Sequence, residues 1–234
     1  MDRTFKALSL ILSYPTTELQ AAMPEISGVL AADARLTAAA RRALRPLLDD
    51  LRDKDIYDLE ESYVLLFDRS RTLSLNLFEH VHGESRARGG AMVDLIETYR
   101  AGGFEPASSE LPDHLPMLLE FLATQPAADA HEILADAAHI LAALGERLAR
   151  RQSAYAPVFS ALLQIAGASA DSGAVAELLA EPEDDPNDLA ALDEVWEESE
   201  VLFGPDPNAG CPQVREMLGR MDEPVKPTPG VAAE

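Results

Sequence analysis

The sequence predicts an all-α protein: a single bundle of about seven to nine helices, with an acidic, partly flexible C-terminal tail. Two observations carry this. Ala (38) and Leu (34) supply 72 of 234 residues, whereas Val and Ile together supply 18, a balance that favours helix over strand. Apolar residues also recur at steps of three and four along most of the chain, and no stretch shows sustained strand alternation or a Gly-rich phosphate loop.

The elements follow in chain order. Phe5, Leu8, Ile11 and Leu12 form a helical stripe, so the apolar run after Arg3 and Lys6 reads as a first core helix. It resembles a signal peptide only superficially, because it is short, contains Ser9 and Ser13, stops at Pro15 and lacks a small-x-small cleavage site. Thr16 or Thr17 is placed to cap a short second helix beginning near Glu18. Leu44, Leu47, Leu48 and Leu51 mark a helix over 37–53 that Pro46 should kink or divide. Ile56, Leu59, Tyr63, Leu66 and Phe67 predict an amphipathic helix over 55–68. Another helix carries Met92, Leu95, Ile96 and Tyr99 and stops at Gly102-Gly103. Residues 103–110 read as a loop. A helix over 112–124 follows, with Pro112 in its first turn. Leu134, Ala137, Leu141, Leu144 and Leu148 give the clearest period and a single helix ending at Arg147, Arg150 and Arg151. Residues 156–168 supply the last apolar helix.

Charge is unevenly spread. Residues 171–234 carry 17 acids and 3 bases, a balance of −14, against −8 for residues 1–170. The domain reading is therefore an all-α domain over 1–170 and an acidic segment over 171–234, its last part (205–234) rich in Pro and Gly and expected to be mobile. The net charge of −22 argues against nucleic acid and against docking on anionic lipid. No run of about 18 apolar residues offers a membrane span. Cys211 alone excludes an internal disulfide or an all-thiolate metal site, so the chain reads as reduced and cytoplasmic.

Catalytic chemistry finds little purchase. His80 and His82 are two apart and diverge on a helix, and no HExxH spacing occurs. Ser85 lacks a nucleophile-elbow context, and Cys211 has no histidine nearby in sequence. The expectation is a non-enzyme with no cofactor. The competing class is a helical metalloenzyme using His80, His82, His114 and nearby carboxylates; a third is a permanent structural subunit. Two stretches stand out. Residues 63–89 place Leu73, Leu75, Leu77 and Phe78 in an apparent connector, which must pack onto the domain or receive a partner. Residues 110–117 hold a Pro-flanked Asp113-His114 pair.

These stretches, "YVLLFDRSRTLSLNLFEHVHGESRARG" and "ELPDHLPMLLEFLA", resemble the NarJ type of redox-enzyme maturation chaperone within the TorD/DmsD family. "LSLILSYP" near the start and "VWEESEVLFGP" near residue 200 are similar to it too, so the resemblance spans about residues 5–204. Asn76 departs from the pattern, which has His there. The resemblance implies an all-α chaperone for the apo catalytic (alpha) subunit of respiratory nitrate reductase. Such a protein binds that subunit's N-terminal segment, holds it competent for molybdenum cofactor insertion and delays membrane attachment. It also implies a peptide-binding surface of Tyr63, Phe67, Asp68, Phe78, His80, His82, Glu84, Arg86, Asp113, His114 and Leu115. An acidic bundle with an apolar groove suits a basic amphipathic helix.

Overall fold

The computed structural model describes residues 1–83, 86–107 and 110–182, which hold eleven α-helices and no strand. The all-α bundle read from the sequence is the fold. The helix count exceeds the seven to nine expected, because short helices and a break escape a periodicity count. The acidic run from Glu183 onward, Cys211 and the segment 205–234 lie outside the described residues.

Helices α1 (Arg3–Ile11) and α7 (Leu115–Thr124) form the centre. Their contacts pair Asp2 with Ala123, Lys6 with Glu120 and Ser9 with Pro116, so the two helices run antiparallel. The carboxylate of Asp2 caps α1, accepting from the N–H groups of Thr4 and Phe5. Arg35 then ties Asp2 to Asp33, and this guanidinium pulls the Asp33 carboxyl down to about 2.

Thr16 and Thr37 cap α2 (Thr17–Ala32) and α3 (Ala38–Asp53), which pack side by side. The second helix is thus sixteen residues long rather than short. Pro46 does not divide α3. It sits on the exposed face, where water can satisfy the Arg42 carbonyl that a proline leaves without a donor. Asp55 caps α4 (Ile56–Tyr63). The expected 55–68 helix then widens into a π-turn at Val64–Asp68, where Arg69 N–H reaches back five residues to the Val64 carbonyl (3.0 Å).

The connector after it folds inward: Leu73, Leu75 and Leu77 are buried, and α5 (Leu77–His82) starts at once. Helix α6 (Arg86–Ala101) ends at Gly102-Gly103 as expected. A Cβ at Gly102 would lie 2.6 Å from the Phe121 ring, so glycine is what allows this turn to close on α7. The helix expected from Pro112 begins only at Leu115, because Asp113 is diverted into other bonds. The 134–148 stripe is two helices, α8 (Ala127–Asp136) and α9 (Ala138–Arg150), broken at Ala137 (ψ 0°). A one-residue break preserves the apolar spacing and is therefore invisible to it. Helix α10 (Ala156–Ala166) packs on α9, and α11 (Ser172–Ala180) lies on α9 with none of its own residues fully buried.

Candidate functional site

The two dense stretches of sequence meet at one junction. Asn76 and His114 form an isolated antiparallel bridge, in which Leu115 N–H donates to the Leu75 carbonyl (2.8 Å) and Leu77 N–H to the Asp113 carbonyl (3.0 Å). The Asp113 carboxylate accepts from Phe78 N–H (3.0 Å), so it caps α5 from another segment of chain. It is fully buried, and the nearest cation is the Arg88 guanidinium at 3.7 Å. Burial raises its pKa above the ordinary carboxylate value, against the Phe78 hydrogen bond and the Arg88 charge. Its Oδ1 finds no donor among the described residues.

Beside this junction a groove of about 400 Å³ opens between α1, the π-turn and α7. Tyr14, Tyr63, Phe104 and Met117 give it apolar walls, and Asp68, Glu110 and Glu120 put carboxylates around it. Tyr14 packs edge-on against Tyr63 (centroids 5.6 Å apart), and Tyr63 is fixed by its hydroxyl donating to the Leu12 carbonyl (3.0 Å). The π-turn matters here, since Phe67 is buried while the adjacent Asp68 stays at the surface, its carboxylate partly desolvated. Glu120 is bonded to Lys6, whereas Asp68 is raised above its ordinary pKa by burial and by the Glu110 charge.

Of the residues expected at a partner surface, Tyr63, Asp68 and His114 line this groove. Burial lowers the His114 pKa, so near neutral pH its ring is held uncharged. Phe67 and Leu115 lie behind the wall in the core, with the Phe67 ring in tilted contact with Tyr63 and edge-to-face with Tyr155. Asp113 acts through the α5 cap and offers no exposed surface. Phe78, His80 and His82 sit on α5, away from the groove lining. His80 bonds the Ser74 carbonyl (2.8 Å), and its pKa is lowered by burial; His82 packs against Phe78. Glu84 and the side chain of Arg86 lie outside the described residues. Tyr14, Phe104, Met117 and Glu120 were missed as site residues. Tyr14 had a signal, since "LSLILSYP" is one of the stretches that carries the resemblance.

No group of three His, Cys, Asp or Glu among the described residues is placed to hold a metal ion. Among the described residues His80, His82 and His114 belong to no such group, and the metalloenzyme alternative is not supported.

Comparison with known proteins decides the family. The family profile described as "Nitrate reductase delta subunit" matches residues 33–161, which include both dense stretches. The chain belongs to the nitrate reductase delta subunit family. Within it, the chain is similar to the nitrate reductase molybdenum cofactor assembly chaperone NarJ of Escherichia coli (strain K12), 46% identical over 203 residues. That match covers 87% of this chain and 86% of the relative. The probable assembly chaperone NarW of the same strain is 39% identical over 206 residues, covering 88% and 86%. The probable NarJ of Bacillus subtilis (strain 168) is 32% identical over 163 residues, covering 68% and 86%. The family profile leaves out α1 and Tyr14, which complete one wall of the groove.

Proposed function

We propose that this chain is a non-catalytic, system-specific maturation chaperone of respiratory nitrate reductase. It binds the N-terminal segment of the apo catalytic subunit in the cytoplasm, keeps the subunit open to molybdenum cofactor insertion and delays its membrane attachment. The relatives named as assembly chaperones support the role. The observation that carries the binding mode is the groove, with its aromatic walls set beside the carboxylates of Asp68 and Glu110.

The occupant is an amphipathic helix. Its apolar residues at i, i+3, i+4 and i+7 pack against Tyr14, Tyr63 and Met117, and a Lys or Arg on its flank reaches Asp68 and Glu110. Burying the apolar face supplies most of the affinity, while the charge orients the approach. No described helix is long and apolar enough to cross a membrane. Capture from cells lacking molybdenum cofactor, read by mass spectrometry, tests the role. Retention of the apo catalytic subunit supports it. Retention of the mature, cofactor-loaded enzyme instead would favour a permanent structural subunit.

A further inference from the structure

One surface runs against the charge of the whole molecule. Residues 34–48 hold four arginines and no acid, in a chain of net charge −22. Arg35 is spent on Asp2 and Asp33, but Arg41, Arg42 and Arg45 line a second groove, of about 330 Å³, between α2 and α3. Its floor is apolar, formed by Leu30, Leu44 and Leu48.

The three guanidiniums are not neutralised. Arg41 donates to the carbonyls of Ala31 and Asp33 at the end of α2, which pins the side chain in the wall and leaves its charge uncompensated. Arg42 and Arg45 make no ion pair with any described carboxylate. They stand three apart on α3, where Cβ atoms are about 5–6 Å apart, a spacing that lets two long side chains converge on one anion. Arg52, at the far end, is already neutralised by Asp49 and Asp53 and marks the limit of the positive zone.

We infer that this groove binds a phosphorylated small molecule of the diphosphate class, its uncharged part on the leucine floor. Guanidinium forks match phosphate oxygens bidentately, and three uncompensated cations suit two adjacent phosphates better than one carboxylate. A long polyanion fits less well. Beyond the roughly 8 Å over which charge is felt at physiological salt, its remaining phosphates would meet an acidic surface.

Calorimetric titration of the full-length protein with inorganic pyrophosphate tests this. The expected result is saturable one-to-one binding, weakened at least about tenfold in Arg42→Gln/Arg45→Gln. The control Arg69→Gln/Arg100→Gln changes net charge equally at exposed sites outside the groove and should bind like the wild type. ADP should bind at least as tightly as pyrophosphate, because its nucleoside gains the apolar floor. The inference is overturned by absence of saturation up to about 10 mM pyrophosphate, by equal loss in the control, or by ADP binding more weakly. Tighter binding of hexaglutamate than of pyrophosphate would overturn it too, in favour of an acidic peptide.

Discussion

The buried carboxylate at the junction offers the sharpest test of how the two dense stretches are joined. Asp113→Ala removes the acceptor for Phe78 N–H and strips the partly buried Arg88 of its facing carboxylate. A lost cap costs about 0.5–2 kcal/mol, and a donor left without a partner about 1–3 kcal/mol, with overlap between the two. A total near 2 kcal/mol should lower Tm by roughly 4–8 °C for a domain of this size. Asp113→Asn keeps an oxygen for Phe78 N–H and removes the buried charge, so it should fall within about 1 kcal/mol of wild type at neutral pH. The pH dependence separates the causes. Because burial raises the folded pKa of Asp113, the folded state holds this proton more tightly than the unfolded chain does. Wild type should therefore gain on Asp113→Asn as pH falls from 7 through that raised pKa towards about 4. Paired thermal melts by circular dichroism read the Tm difference directly, with all other acid effects cancelling. A difference independent of pH, or one moving against wild type on acidification, would mean that Arg88 rather than burial governs the site.

Other outcomes follow from the same structure. Arg147 is 1% exposed and donates to the Thr72 and Leu178 carbonyls, so Arg147→Met should cost about 1–3 kcal/mol in denaturant titration and loosen α11 first, seen as faster amide exchange over 172–180. The depressed pKa of Asp33, about 2, means its contribution is fully present above about pH 4 and is lost as pH falls towards 2. The stability deficit of Asp33→Asn should accordingly shrink over that window in paired melts. Stopped-flow binding of a basic N-terminal peptide should show association slowing as salt rises to about 0.5 M, with dissociation nearly unchanged. A salt effect confined to dissociation would place the charges in the docked contact instead.

Helix type and order were legible because burial imposes a 3.6-residue period on Leu-rich segments, and the family was legible in 63–89 and 110–123. What escaped were features that leave the period intact. The break at Ala137 falls between two stripes that stay in phase. The π-turn at Val64–Asp68 inserts its extra bond without changing residue type, yet it decides that Phe67 is core and Asp68 is surface. Asp113 shows the deeper difficulty. A Pro-flanked acid before an apolar helix reads as that helix's own start, whereas its partner is Phe78, thirty-five residues earlier. The groove was half legible for the same reason. Tyr63, Asp68 and His114 lay in the dense stretches, but Tyr14 and Glu120 arrive only through the antiparallel packing of α1 on α7. Long-range pairing of that kind has no local signature.

In the proposed function the groove holds the N-terminal segment of the nitrate reductase catalytic subunit. Isothermal titration of the full-length protein with a synthetic peptide of that segment, at low salt, tests it most directly. The exposed Tyr14 is replaced in Tyr14→Ala and the exposed Glu110 in Glu110→Lys. The wild type should bind one peptide, with a negative heat-capacity change as the apolar face is buried. Tyr14→Ala should weaken binding by about tenfold or more, as for an aromatic anchor, with Glu110→Lys acting mainly on association. No binding by the wild type, or binding by both variants equal to wild type, would mean that this groove is not where the segment docks.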